Sequence, residues 1–235
     1  LFRSEGRVIN VIPGFEGFET TILTSPKMGA YSAFYVSAVA PGGRTTKPYG
    51  EEGSELFVYV MDGDGKLTVE TKEAEAVLTQ GGYIFVPAGQ KIEMRNKSEK
   101  PVRIIMYRQK YRTLEGYQAE TVVGNANDIP ERTYADMDNV FIKDFLPTHL
   151  GFDMNMHILS FEPAGCHPFM ETHVQEHSAY VTSGQGFYQL GDDWYQIKKE
   201  DFIWMGPFTI QGTYATGRER FTYVYSKDCN RDEIL

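Results

Sequence analysis

Cysteine is scarce in this chain of 235 residues: there are two, Cys166 and Cys229. That is too few for a disulfide framework, and each reads first as a small buried hydrophobe, in keeping with a reducing compartment. Positive charge is also short. Lys and Arg number 23 against 32 Asp and Glu, a formal net charge of −9. A chain so acidic lacks the basic face that phosphate backbones require, which argues against a nucleic-acid partner. No apolar run approaches the roughly 20 residues that span a bilayer, so no membrane partner is expected. No signal peptide is visible either. The expectation is a cytoplasmic protein, although a chain beginning at Leu1 rather than Met leaves room for a targeting segment upstream. Long stretches at helical period are missing, and helix is expected only as short pieces within 130–148.

What is present is strand signal. Aromatics, chiefly Tyr and Phe, make up 14% of the chain and favour sheet. The stretches "YSAFYVSAVA" (31–40), "SELFVYVMDG" (54–63), "YIFVPAG" (83–89) and "VRIIMYRQKY" (102–111) are short, β-branched or aromatic, and bounded by turn residues. "MHILSFEPAG" (156–165), "HSAYVTSGQG" (177–186), "DFIWMG" (201–206) and "RFTYVYSKD" (220–228) follow in the same order. "VAPGG" then "SELFVYVMDGDG" in the first half answers "FEPAG" then "HSAYVTSGQG" in the second. This is an internal repeat with a period of roughly 120 residues. Two tandem antiparallel all-β domains are therefore expected: 1–115, a polar, turn-rich linker at 116–139, and 140–235.

The stretch "ETHVQEHSAYVTSGQG" (171–186) places Glu171, His173 and His177 within seven positions. All three numbers are odd, so one continuous extended segment would put them on one face. On a helix, Glu171 and His173 would stand about 200° apart. "HVQEH" also spells a zinc-peptidase pattern, but that motif needs a helix of several turns, and Thr182, Ser183, Gly184 and Gly186 follow too soon. A carboxylate and two imidazoles converging from a sheet form a candidate metal site. His149, His157 and His167 have no comparable support and are read as structural or surface residues.

These segments resemble the cupins, small jelly-roll barrels with two sequence motifs. Gly165, Glu171-Thr172-His173, His177 and Gly184 keep the spacing of the first motif, with Glu and His exchanged. Gly81, Pro87-Ala88-Gly89 and Asn96 keep the second, with Ile92 in place of its His. "GFDMNMHILSFEPAG", "ETHVQEHSAYVTSGQGFYQL", "YVYSKDCNRD" and "IPGFE" carry the likeness further, and the chain resembles the (S)-ureidoglycine aminohydrolase family of bicupins. The resemblance implies two cupin barrels and a metal set of Glu171, His173, His177 and Gln211. It implies Mn²⁺, whereas the ligand types alone also admit Fe²⁺, Ni²⁺ or Zn²⁺. At the corresponding slots the first half has Tyr49, Glu51, Glu55 and Ile92, and that barrel is expected to be metal-free.

By the same resemblance the substrate is a small ureide, (S)-ureidoglycine. It would be hydrolysed to (S)-ureidoglycolate and ammonia in allantoin and purine degradation. Tyr188, Tyr223 and Lys227 fall at positions that the family uses for substrate. Tyr223, Tyr225 and Lys227 share parity on the last strand, and an inward Lys in a small barrel calls for an anion. Glu171 is expected to bind both metal and substrate and to act as general base then acid, with Lys227 neutralising the substrate carboxylate. The rival expectation is another metal-dependent cupin enzyme, a dioxygenase or an isomerase. Exposed sheet edges and the habit of cupins imply a homo-oligomer.

Overall fold

The computed structural model describes residues 1–228, 231 and 232, and Cys229 lies outside them. Cys166 is a free, exposed cysteine rather than a buried one. The chain divides into two compact all-β units. One comprises Val8–Asp128 with His149–Phe152; the other comprises Leu1–Arg7, Ile129–Thr148 and the chain from Asp153 onward. No helix among the described residues is long and apolar enough to cross a membrane.

The first unit holds β1 (Phe15–Thr24), β2 (Ser32–Thr45), β3 (Ser54–Asp62), β4 (Leu67–Glu70), β5 (Glu75–Leu78), β6 (Gly82–Val86), β7 (Glu93–Asn96), β8 (Val102–Lys110) and β9 (Val122–Asn125). Its sheet runs β5-β4-β7-β2-β8-β3-β6-β9, with β1 also on β2. The second holds β10 (Arg132–Tyr134), β11 (Met137–Asp144), β12 (Met154–Phe161), β13 (His177–Ser183), β14 (Gln185–Leu190), β15 (Asp193–Lys198), β16 (Phe202–Met205), β17 (Gln211–Thr216) and β18 (Phe221–Asp228). Its sheets run β10-β11-β12-β18-β13-β16 and β15-β14-β17. Alternation sends one face of each sheet inward. Leu56, Val58, Val60, Ile84 and Ile104 fill the first core, and Ile142, Leu159, Val181, Ile203 and Phe221 the second.

The repeat is a shared register. The order β2-β8-β3-β6 in one unit matches β12-β18-β13-β16 in the other. Each third strand of these sets slips at one place, between Val60 and Asp62 or between Val181 and Ser183. Gly184 then turns the chain from β13 into β14 at φ +68, and a Cβ there would sit 2.4 Å from the Arg220 carbonyl oxygen, so only glycine fits.

Three more expectations need correction. The segment 130–148 is not helical. Ala135 and Asp136 both take positive φ, 48° and 59°, and join β10 to β11 in the two-residue turn that suits a right-twisted hairpin. The stretch 116–139, expected as a linker, carries β9, which pairs with β6, and β10. The third correction concerns the slots of the first barrel. Leu56 pairs with Val86 and Arg108, just as His177 pairs with Met205 and Lys227. The residue matching His177 is therefore Leu56, not Glu55. The segment before β3 is one residue longer than its counterpart before β13, and a shift of one residue exchanges the faces of a strand.

Candidate metal centre and active site

Three of the four expected ligands converge, though not from one extended segment. Glu171 forms an isolated bridge with Gln211, residues 172–176 run irregularly, and β13 begins at His177. The single extended strand expected to carry Glu171, His173 and His177 on one face is therefore not what is found. Glu171 and Gln211 are brought together by reciprocal backbone hydrogen bonds of 2.9 Å. His177 Nε2 lies 3.1 Å from His173 Nε2, and Gln211 Nε2 lies 3.1 Å from the same nitrogen. Glu171 lines the same cavity, of about 50 Å³, and its carboxylate makes no hydrogen bond to a described residue. Among the described residues, no three His, Cys, Asp or Glu side chains form a metal-holding group by themselves.

The donors nevertheless fit a divalent cation. His177 donates Nδ1–H to the Ser226 carbonyl oxygen at 2.9 Å, which leaves a lone pair on Nε2. Burial pushes its pKa down to about 3, so the ring is neutral near neutral pH. The tautomer of His173 then cannot satisfy both neighbours as they stand. With the proton on Nε2 it meets the Gln211 amide donor; with the proton on Nδ1 two lone pairs face each other, and the buried Nδ1 has no partner. The Gln211 amide is bonded to the Tyr188 hydroxyl through Oε1 at 3.1 Å. A half-turn of that amide keeps the bond, because a hydroxyl also accepts, and brings Oε1 to the His173 side. His177 Nε2 and Gln211 Oε1 would then both flank His173 Nε2. Donors about 2.1 Å from an ion and at right angles stand about 3.0 Å apart, close to the spacing observed.

The remaining candidates surround this cluster. Tyr188, Tyr223 and Lys227 line its cavity, together with Tyr134, His167 and Tyr225. Burial raises the phenol pKa values of Tyr188, Tyr223 and Tyr225, so all three are neutral hydrogen-bonding groups. The Tyr223 and Tyr225 rings meet at 5.7 Å, and Tyr225 stands edge-on to His177 at 5.3 Å. His167, read from the sequence as structural or surface, is buried in the cavity wall, and its Nδ1 has no hydrogen-bond partner among the described residues.

His157 is neither a surface residue nor an isolated one. Asp144, His157, Tyr225 and Ala179 are paired in succession across β11, β12, β18 and β13. His157 Nδ1 lies 2.7 Å from Asp144 Oδ1, and Arg132 grips Asp144 Oδ2 at 2.6 and 3.0 Å. The dyad walls a second cavity of about 190 Å³, which shares Tyr134, Tyr225 and Lys227 with the first. Odd parity along "NMHILSF" is the sequence signal that could have placed His157 on the inner face with Leu159 and Phe161.

The first unit offers an internal comparison. There the bridge that matches Glu171 with Gln211 joins Tyr49 to Ile92. Arg108, in register with Lys227, pairs with Glu51 at 3.0 Å and lies over the Tyr35 and Tyr49 rings at 5.9 and 5.7 Å. A guanidinium, a carboxylate and two phenols thus stand where the second unit groups its imidazoles.

The chain resembles known proteins along its whole length. The cupin domain family model matches residues 35–107, within the first barrel, where the Pro-x-Gly motif is intact. A curated Escherichia coli relative named (S)-ureidoglycine aminohydrolase is 44% identical over 99% of this chain and 88% of that protein. A rice relative, from Oryza sativa subsp. japonica, named probable (S)-ureidoglycine aminohydrolase, is 30% identical over 100% of this chain and 74% of its own length. The crystal structure of the E. coli protein Ylba superposes with a TM-score of 0.88 at 41% identity, covering 98% of this chain and 90% of that one.

Proposed function

The chain belongs to the (S)-ureidoglycine aminohydrolase family, and from that premise we propose that it hydrolyses (S)-ureidoglycine to (S)-ureidoglycolate and ammonia in the cavity lined by Glu171, His173, His177 and Gln211. The observation that carries the reading is the pair of imidazole nitrogens 3.1 Å apart in a cavity also lined by the Glu171 carboxylate, which makes no hydrogen bond to a described residue. Glu171, His173, His177 and Gln211 would hold a divalent cation, with Mn²⁺ the ion that family membership favours. Bound there, it would supply Lewis-acid polarisation of the substrate.

The chain's own residues do the rest. Lys227 sets an ammonium beside the substrate carboxylate, and burial among tyrosines strengthens that attraction. Tyr188 and Tyr223, held neutral, offer hydroxyls to the polar groups of the substrate. Glu171 accepts a proton from water as the C–O bond forms, and returns it to nitrogen as the C–N bond breaks. Water and substrate together supply every atom of ureidoglycolate and ammonia. Self-association belongs to the same proposal: Val8, Ile9 and Val11 form an exposed apolar stretch.

Ammonia release from freshly prepared ureidoglycine tests the function. The metal-loaded protein should release it and the chelated protein should not. Equal rates in the two would remove the metal from the mechanism, and no release in either would remove the substrate.

A further inference from the structure

We infer that His157 determines specificity for the ureido group: its Nε2 accepts a hydrogen bond from the terminal amide N–H of the substrate, in the cavity beside the metal cluster. The inference rests on the hydrolytic reading above and extends it to residues which that reading does not use.

Size comes first. The cavity at the cluster, about 50 Å³, takes an ion with a few waters. A molecule with a carboxylate, a ureido group and an amine on one carbon needs more. The adjoining cavity of about 190 Å³ supplies the room, and Lys227, Tyr225 and Tyr134 wall both. A substrate held by its carboxylate at Lys227 extends its far end into that space.

The chemistry of the wall comes next. A terminal ureido amide presents N–H donors and needs a lone pair. Arg132 and Lys227 are donors only. Asp144 already accepts two hydrogen bonds from Arg132 and one from His157. Asn155 is engaged as well: its Oδ1 accepts from the Leu146 and Met156 amides and its Nδ2 donates to the Leu146 carbonyl. His157 differs. Donating Nδ1–H to Asp144 leaves Nε2 as an acceptor, and it makes no second hydrogen bond to a described residue. The ring is fixed on both sides of that bond. Asp144 is clamped by Arg132, and the imidazole stacks on Tyr225 with centroids 4.8 Å apart and planes at 28°. Burial favours the neutral ring, which keeps the lone pair available. The arrangement follows the rule that a carboxylate on one imidazole nitrogen sets the role of the other.

The test is calorimetric. The manganese-loaded protein is titrated with (S)-ureidoglycolate, which keeps the ureido group, and with 2-acetamido-2-hydroxyacetate, which carries methyl in place of the terminal amide. His157→Phe preserves the stack on Tyr225 and removes both nitrogens. It should weaken ureidoglycolate about tenfold, the loss expected for one buried hydrogen bond, and leave the acetamido compound within twofold of wild type. In turnover the loss should fall on KM with kcat largely kept, because the contact lies away from the reacting carbon. Asp144→Asn is a second variant: an amide turned toward Nδ1 moves the ring proton to Nε2. Imidazole ¹⁵N spectra should show that change together with the same loss of selectivity. Equal losses for both ligands, or no loss for either, overturn the inference. If wild-type protein with manganese binds no ureidoglycolate, the hydrolytic reading itself fails; binding in wild type with selectivity unchanged in both variants removes His157 alone.

Discussion

The Nε2 atoms of His173 and His177 face each other at 3.1 Å, and the one proton that His173 can place on its ring does not satisfy both that contact and the Gln211 amide. A cation bound there would resolve the conflict. His173→Gln and His177→Gln should each lower affinity for Mn²⁺ at least a hundredfold, as read by electron paramagnetic resonance of free manganese. Metal at a hundred times its dissociation constant should stabilise the wild-type barrel by about 2.7 kcal/mol. That raises the melting temperature by roughly 5–10 °C in scanning calorimetry, since each kcal/mol is worth about 2–4 °C at this size. An unchanged melting temperature would show that the cluster does not bind the ion.

Glu171 and Lys227 are predicted to fail in different ways. Glu171→Gln should cut turnover by about 10²–10⁴, the usual range for a positioned acid or base, with manganese still bound. Lys227→Met should raise KM and leave turnover nearly intact, because carboxylate binding is common to ground and transition states. Steady-state kinetics separate the two patterns, and a loss of turnover alone at Lys227 would place it in the chemistry instead.

Arg108, Glu51, Tyr35 and Tyr49 close the corresponding region of the first barrel. Manganese stoichiometry by plasma mass spectrometry should therefore be one per chain, and two per chain would overturn the assignment of that barrel as metal-free. Arg108→Met should leave the stoichiometry unchanged.

Asp144 yields a pH prediction. Its hydrogen bonds from His157 and Arg132 hold the carboxyl down to about 2, below the usual value near 3.9. A depressed folded-state pKa means stability that is complete above about 4 and is lost as pH falls through about 2. In acid-unfolding curves, Asp144→Asn should flatten the slope between about pH 4 and pH 2. The carboxyl keeps some contact with solvent, which keeps the effect modest.

The fold was legible because its eight repeated segments carry their own evidence. "SELFVYVMDG" and "HSAYVTSGQG" alternate, end in turn residues and recur in order, and they became β3 and β13. The 130–148 stretch was misread because its hairpin turn uses Ala135 and Asp136 rather than glycine at positive φ, so no turn signal showed. Gln211 entered only through family spacing, since the bridge that joins it to Glu171 spans 40 residues of chain. Glu55 for Leu56 shows the limit of counting: one extra residue before a strand reverses every side chain after it. His157 was overlooked because its partner Asp144 lies 13 positions away on another strand, a proximity that only the β11–β12 register creates.

The first seven residues belong to the second unit. Phe2 bridges Phe202 on the outer edge of β16, Arg3 reaches the buried Asp201 at 2.5 Å, and Arg7 donates to the Glu200 carbonyl oxygen. A stretch that precedes the first barrel in the chain thus completes the second. It must stay unpaired until that barrel exists, and a fragment beginning after the apparent junction would lack the piece that caps its own exposed edge. These two halves cannot be parted by one cut in the chain.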